Sequence, residues 1–301
     1  MLKNKPSFTA KFCAFARAYH SNYAREKVYD DYLAFDFLGK EEYEVIRDLI
    51  TAILYDRGLH IPKAETWDEF LDELITPIIL TRIKYAEEKL LQYAGEEPKL
   101  QYVICGAGLD TFAFRNENTD IEIFELDHPN THRYKLERIK QLEWNIPKNT
   151  HYISIDLEKQ NIRDTLLKEG FKEELPTFFA ILGVAYYLEL AAMVKTFEEM
   201  AKVAKKGSLL VFDYPDKGLI KEEHPRMRAL MEITGAVGEQ MKEGMLKEEL
   251  VYELAKCGYT IEEVLTSQDI QKALIGKRNI DAYKNINFVT ARKLDVIKEK
   301  E

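Results

Sequence analysis

A short apolar run, Leu100–Cys105, ends in Gly106-Ala107-Gly108, and this junction constrains the fold more than any other part of the chain. Glycine lets a backbone turn sharply and approach a ligand closely. In an α/β sheet, ligands bind beyond the carboxyl ends of strands, where such turns lie. Strands and helices alternate from this point on. Ile121–Leu126 reads as a second strand, followed by helix from Asn130 to Leu142. His151–Ile155 reads as a third, followed by helix over Ile162–Glu169, and Phe178–Gly183 as a fourth. A helix over Ala191–Ala204 stops at Lys205-Lys206-Gly207, and Ser208–Asp213 reads as a fifth strand. Tyr259–Val264 and Ile286–Ala291 read as two last strands, after a helix over Lys247–Lys256 closed by Gly258. The alternation predicts an α/β fold with a parallel sheet covered on both faces.

Residues 1–97 have a different character. Phe8–Tyr19 and Glu41–Leu54 carry apolar residues at helical spacing, and no strand is convincing. Thr66 suits a helix N-cap with Glu69 as its capping-box partner, and Pro77 should mark a break or first turn within Trp67–Tyr93. The expected organisation is a helical N-terminal extension over 1–97 and an α/β domain over 98–301. Within that domain a charged, Met-containing helical insertion is expected at about 218–247.

Composition narrows the function. With 301 residues, 46% of them hydrophobic and 32% charged, the chain suits a soluble globular protein with a sizeable core. A net charge of −9 argues against nucleic acid as the main partner. Three scattered cysteines, Cys13, Cys105 and Cys257, form neither a disulfide framework nor a metal-binding spacing. No stretch of about 18 apolar residues suggests a membrane span. A cytoplasmic protein without a bound metal is the expectation.

The acid after the second strand gives the glycine turn a partner. Glu125-Leu126-Asp127 ends that strand, and a carboxylate there can accept hydrogen bonds from both ribose hydroxyls of an adenosine. Alternation points Glu125 and Asp127 to the same side, with Asp127 nearer the strand's end. A nicotinamide dehydrogenase carries G-x-G-x-x-G, its third glycine giving close helix–strand packing beneath a pyrophosphate. Here that position is Thr111. S-adenosylmethionine has an adenosine and an amino-acid tail but no pyrophosphate, so Thr111 shifts the balance from hydride transfer toward methyl transfer. A nicotinamide-dependent oxidoreductase and a non-catalytic cofactor-binding protein remain the alternatives.

The run from Val103 to Thr111, followed by Phe114-Arg115, closely resembles the leucine carboxyl methyltransferase family. Phe124-Glu125-Leu126-Asp127-His128-Pro129 and Ser154-Ile155-Asp156-Leu157 match the same family. Thr9-Ala10, Ala16-Arg17-Ala18, Asp30 to Ala34, Gly183-Val184 and Tyr187-Leu188 fit its bacterial branch, which includes O-methyltransferases linked to polyketide biosynthesis. The likeness runs from about Thr9 to Pro215. It implies a class I methyltransferase fold, with a seven-stranded, mostly parallel sheet whose last strand is antiparallel. It also implies S-adenosyl-L-methionine as cofactor and a small-molecule acceptor, or a peptide C-terminal carboxylate. Gly106, Ala107 and Gly108 would pass beneath the cofactor's amino-acid portion and Asp127 would hold the ribose. Asp156 and Leu157 would flank the adenine, and Arg82 would pair with the cofactor carboxylate. One departure stands out: the family's acid in an E-G-V type run is Leu182 in Leu182-Gly183-Val184.

Plainer roles compete at several positions. Asp110, Thr111 and Asp156 also suit helix caps. Arg17 and Lys11 also read as surface charges, Arg115 as a helix-end anchor, and His128 as shaping the turn before Pro129. Tyr186 and Tyr187 also read as core aromatics. A hydroxyl acceptor would benefit from a general base, for which Tyr187 and His20 are the candidates, whereas a carboxylate needs none. The N-terminal helices and the 218–247 insertion are the expected lid.

Overall fold

The computed structural model describes residues 5–58, 66–157, 159–218 and 225–294. Seven strands form one sheet: β1 Leu100–Cys105, β2 Ile121–Asp127, β3 Thr150–Ser154, β4 Thr177–Ile181, β5 Leu209–Pro215, β6 Tyr259–Leu265 and β7 Ile286–Lys293. Their order is β3-β2-β1-β4-β5-β7-β6. Pairings from β3 through to β5 are parallel, and β7 runs antiparallel to both β5 and β6. This is the seven-stranded, mostly parallel α/β sheet expected.

Strand alternation divides the core into two layers. Tyr102, Ile104, Ile123, Phe178, Ala180 and Val211 face one side. Val103, Cys105, Phe124, Leu126, Phe179 and Phe212 face the other. A fully buried phenylalanine such as Phe124 or Phe178 is worth about 1.5–3 kcal/mol of apolar burial. The second side is covered by α8 (Ile162–Lys168), α9 (Leu190–Val203) and α11 (Lys247–Lys256), through Leu166, Phe197, Met200 and Leu254. The first is covered by α7 (Pro129–Gln141) and by helices of the N-terminal segment.

That segment holds α1 (Phe8–Tyr23), α2 (Ala34–Leu38), α3 (Lys40–Asp56), α4 (Trp67–Ile75) and α5 (Thr81–Glu96). The described part of residues 1–97 therefore does more than extend the sheet domain. Tyr85 meets Phe288 with ring centroids 5.5 Å apart, and Tyr93 meets Phe178 at 6.3 Å, so α5 supplies part of one helical layer. Thr66 caps α4 by accepting from the Glu69 amide at 3.2 Å. Pro77 lies in a wide π-type turn, Thr76–Leu80, between α4 and α5. Proline cannot donate in the α ladder, and the wider turn carries the chain past it without a break.

The 218–247 stretch is helical only in part. Residues 219–224 lie outside the described residues, and α10 covers Pro225–Ala236. Beyond it, Gly238 takes φ 77° and the chain runs without helix to Met245, which bridges Asp216. At Gly244 an added Cβ would collide with the Asp216 and Pro215 carbonyls, so the chain presses against the end of β5 there. Short helical turns among the described residues include α6 (Phe112–Arg115), Ala185–Tyr187, α12 (Ser267–Ile270) and Gln271–Ile275.

A buried ionic cluster fastens the N-terminal segment to the end of β1. Asp31 is wholly buried and accepts from Arg17 at 2.9 Å and from the Thr111 hydroxyl at 2.7 Å. Arg115 lies 3.4 Å from Asp31 and donates to Glu87 on α5 at 2.7 Å. Arg17 also donates to the Leu109 carbonyl at 2.5 Å. Arg17 is thus a buried clamp rather than a surface charge, and Arg115 joins two layers rather than one helix end. Removing one partner of a buried pair strands the other charge. Asp31→Asn should lower stability by about 3–5 kcal/mol in urea unfolding; a loss under about 1 kcal/mol would show that the clamp contributes little.

Candidate functional site

The sheet order reverses between β1 and β4, and the loops after those two strands face each other across the resulting crevice. Register brings the ends level: Cys105 stands beside Leu126 on β2 and Ile181 on β4, and Ile181 beside Phe212 on β5. Gly106 takes φ 73° and Gly108 φ 57°, in the left-handed region that favours glycine. A Cβ on Gly106 would lie 2.8 Å from Val184 of the β4 loop, and one on Gly108 would lie 3.2 Å from Ala10 of α1. The turn is thus held between the opposite wall and the first turn of the N-terminal helix. The Gly106 and Ala107 amides both donate to the Leu126 carbonyl, at 2.8 and 3.2 Å.

Asp127 closes the next position along the edge. Its carboxylate accepts from the Gly108 amide at 2.5 Å and the His128 amide at 2.7 Å. Burial pushes this carboxyl above the ordinary range, and the two amides pull it back. A carboxylate has about four acceptor positions, so capacity for two ribose hydroxyls remains. Glu125 has a different fate. It is buried against Lys135 of α7, whose ammonium also donates to the Asp110 carbonyl at 2.7 Å. Burial pushes the Glu125 carboxyl up while Lys135 opposes the shift. The two acids share a face, as alternation requires, but only Asp127 meets the glycine turn.

Asp156 and Leu157 follow β3. The Ile155 amide donates to the Asp127 carbonyl at 2.9 Å, which brings this pair beside the end of β2. Asp156 is not a helix cap: Asn161 caps α8, accepting from the Asp164 amide at 2.9 Å. Asp156 instead heads a turn and pairs with exposed Lys159 at 2.6 Å. Leu157 lines a cavity of about 190 Å³ with Lys159, Gln160, Asn161 and Lys195.

Arg82 lies at the opposite end of the row. Its guanidinium presses on the backbone of Gly183, which takes φ 69° just beyond β4. It donates to Asp213 on β5 at 3.4 Å and to the Cys13 thiol at 3.2 Å, and its buried Nε has no partner among the described residues. A buried guanidinium with one long ion pair and one contact to a weak sulfur acceptor has capacity for an anion.

Other candidates are committed elsewhere. His20 is buried; its Nε2 accepts from the Val28 amide at 2.8 Å and its Nδ1 lies 3.1 Å from Asp72. His128 caps α7 through Nδ1, as its place before Pro129 suggests. Asp110 accepts from the Phe112 amide at 2.6 Å, a local turn role. Tyr186 is a core residue whose hydroxyl donates to Asp213 at 2.8 Å. Tyr187 hydrogen-bonds to Thr9, and burial pushes its phenol well up. Lys11 pairs with Glu42 at 2.8 Å and lies over the Tyr134 ring.

Two residues at the site carry no motif. Asp213 accepts from the Gly183 amide at 2.6 Å as well as from Tyr186 and Arg82. Glu239, beyond α10, accepts from the Phe8 and Thr9 amides at 3.1 and 3.0 Å and from the Ser7 and Thr9 hydroxyls at 3.1 and 2.5 Å. It ties the start of α1, over Gly108, to the C-terminal half of the chain. Neither residue stands in a local pattern that sequence reading detects.

Comparison with known proteins identifies the family. The family model for leucine carboxyl methyltransferase matches residues 10–201. A protein of Bacillus subtilis, YktD, is 33% identical over 97% of this chain and 100% of its own length; its provisional description is an S-adenosyl-L-methionine-dependent methyltransferase. A protein of Mycobacterium marinum with the same provisional description is 31% identical over 44% of this chain and 41% of its own. Among solved structures, a provisionally assigned methyltransferase of Thermobifida fusca superposes with a TM-score of 0.58 at 16% identity, covering 98% of this chain and 97% of that one. That structural likeness speaks for the fold alone. The chain belongs to the leucine carboxyl methyltransferase family, whose members are S-adenosylmethionine-dependent methyltransferases.

Proposed function

We propose that this chain transfers a methyl group from S-adenosylmethionine to a carboxylate oxygen of a small molecule or of a peptide C-terminus. The observation that carries the cofactor reading is the row along the sheet edge: Asp156, Asp127, Gly106 to Gly108, and Arg82. It presents carboxylates where adenosine would donate and a guanidinium with spare donors where an amino-acid carboxylate would sit. Ala107 in the turn and Leu157 beside Asp156 are the apolar members of the row. Family membership removes support from the nicotinamide reading. Thr111, where a dinucleotide site has its third glycine, is buried and anchors Asp31 instead.

S-adenosylmethionine, when bound, supplies a methyl on a positively charged sulfur that is already a good leaving group. The protein's tasks are then alignment and exclusion of water. The first turn of α1 lies over Gly108 and is held there by Glu239, which suits a cover over the reacting end. The choice of a carboxylate follows from the two base candidates. His20 spends Nε2 on a backbone amide, and the Tyr187 phenol is pushed up and stays protonated. A carboxylate has no proton to lose and needs neither. The family's name, from methylation of a leucine carboxyl, supports the same choice. Polyketide-type acids are one small-molecule class that fits. No described helix is long and apolar enough to cross a membrane.

S-adenosylhomocysteine should bind with micromolar-scale affinity in calorimetry; no heat and no thermal shift would refute the cofactor site. Asp127→Ala should weaken that binding about tenfold or more. Glu125→Ala should affect it less and chiefly lower the melting temperature, because Lys135 loses its buried partner. Equal small effects on affinity would remove Asp127 as the ribose ligand. With a panel of carboxylic acids, phenols and alcohols, the methylated product should be an ester that releases methanol in alkali. Alkali-stable ethers as the sole products would place the reaction on hydroxyls instead.

A further inference from the structure

We propose that Asp213 is a positioning residue for the cofactor's amino-acid end, holding the Arg82 guanidinium and the backbone at Gly183 in place beside it. The inference rests on the reading that Arg82 meets that end. Asp213 is wholly buried at the carboxyl end of β5 and joins three separate pieces of the site. Gly183 donates to one carboxylate oxygen at 2.6 Å, while Tyr186 at 2.8 Å and Arg82 at 3.4 Å donate to the other.

The distances differ in a useful way. The two short bonds fix the carboxylate and, through it, the β4 loop from Gly183 to Tyr186. The ion pair with Arg82 is longer than the 2.7–2.9 Å of a full charge-assisted bond. Asp213 therefore keeps the guanidinium from being a stranded buried charge without using up its donors. Nε and the contact to the Cys13 thiol remain available for a stronger acceptor. Leu182, on the same wall, brings no charge, so among the described residues Asp213 is the carboxylate that meets Arg82.

Two ligands separate a positioning role from a structural one. S-adenosylhomocysteine carries the adenosine, the thioether and the amino-acid end; 5′-methylthioadenosine carries only the first two. Asp213→Asn should weaken the first about tenfold or more and leave the second within about twofold. Equal weakening of both, or no change in either, overturns the proposal. Asp213→Glu keeps the charge but displaces it, and should show the same selectivity with a smaller loss; it serves if Asp213→Asn fails to fold, and equal effects there overturn the proposal too. Arg82→Gln separates the two readings. Selective loss with Arg82→Gln but not with Asp213→Asn sinks only the role of Asp213. Equal loss of both ligands with Arg82→Gln sinks the placement of Arg82 itself.

Discussion

The site depends on the buried pairing of Asp31 with Arg17. The glycine turn at the end of β1 belongs to the sheet, but the helix that covers it belongs to the N-terminal segment. Asp31 connects them by accepting from Arg17 on α1 and from Thr111 just past the turn. Arg17 extends the link by donating to the Leu109 carbonyl. Burying these charges is costly unless their hydrogen bonds are met in full. Here Arg115 and Glu87 extend the cluster to α5, so the cover, the turn and a face-covering helix share one electrostatic knot.

With the turn anchored from below, the cover is completed from the other end of the chain. Glu239 collects four donors from Ser7, Phe8 and Thr9, satisfying amides that the first turn of a helix leaves without partners. A carboxylate at a helix N-terminus is also favoured by the helix dipole. Residues far apart in sequence therefore close over Gly108 together. The stretch that carries Glu239 is loop: Gly238 leaves helical geometry at φ 77° just past α10, and Gly244 presses against the end of β5.

Much of the sheet could be read from the chain because buried parallel strands are short apolar runs with glycine or charge at their ends. The elements from Leu100 to Asp213 fall within a few residues of their observed positions, as does the strand–glycine–acid set of the site. The meeting of Asp127 with the glycine turn was readable because that acid stands at the end of the strand after the turn. Arg17 and Asp31 were not, because their roles arise from partners that only the tertiary fold brings near; Thr111 lies 80 residues from Asp31. Glu125 shows the limit within one strand. Alternation places it beside Asp127 but says nothing of Lys135, which makes one acid structural and leaves the other at the turn. Asp213 reads as the polar end of an ordinary strand, and only the sheet order sets it beside Gly183.

The arrangement of charge along the edge gives the proposed site a direction. Carboxylates stand at the ends of β2 and β3, and the guanidinium stands where β4 and β5 end. A cofactor laid with its adenosine toward β3 offers hydroxyls and an amine to acids, and a carboxylate to Arg82. Laid the other way, its carboxylate would face Asp127 and Asp156, and like charges in a partly buried site repel. Arg82 would then be left buried with only its long contact to Asp213 and the thiol of Cys13. The sequence carries both ends of this polarity, but only the strand order, which sets Asp156, Asp127, the glycine turn, Gly183 and Asp213 side by side, turns them into an orientation.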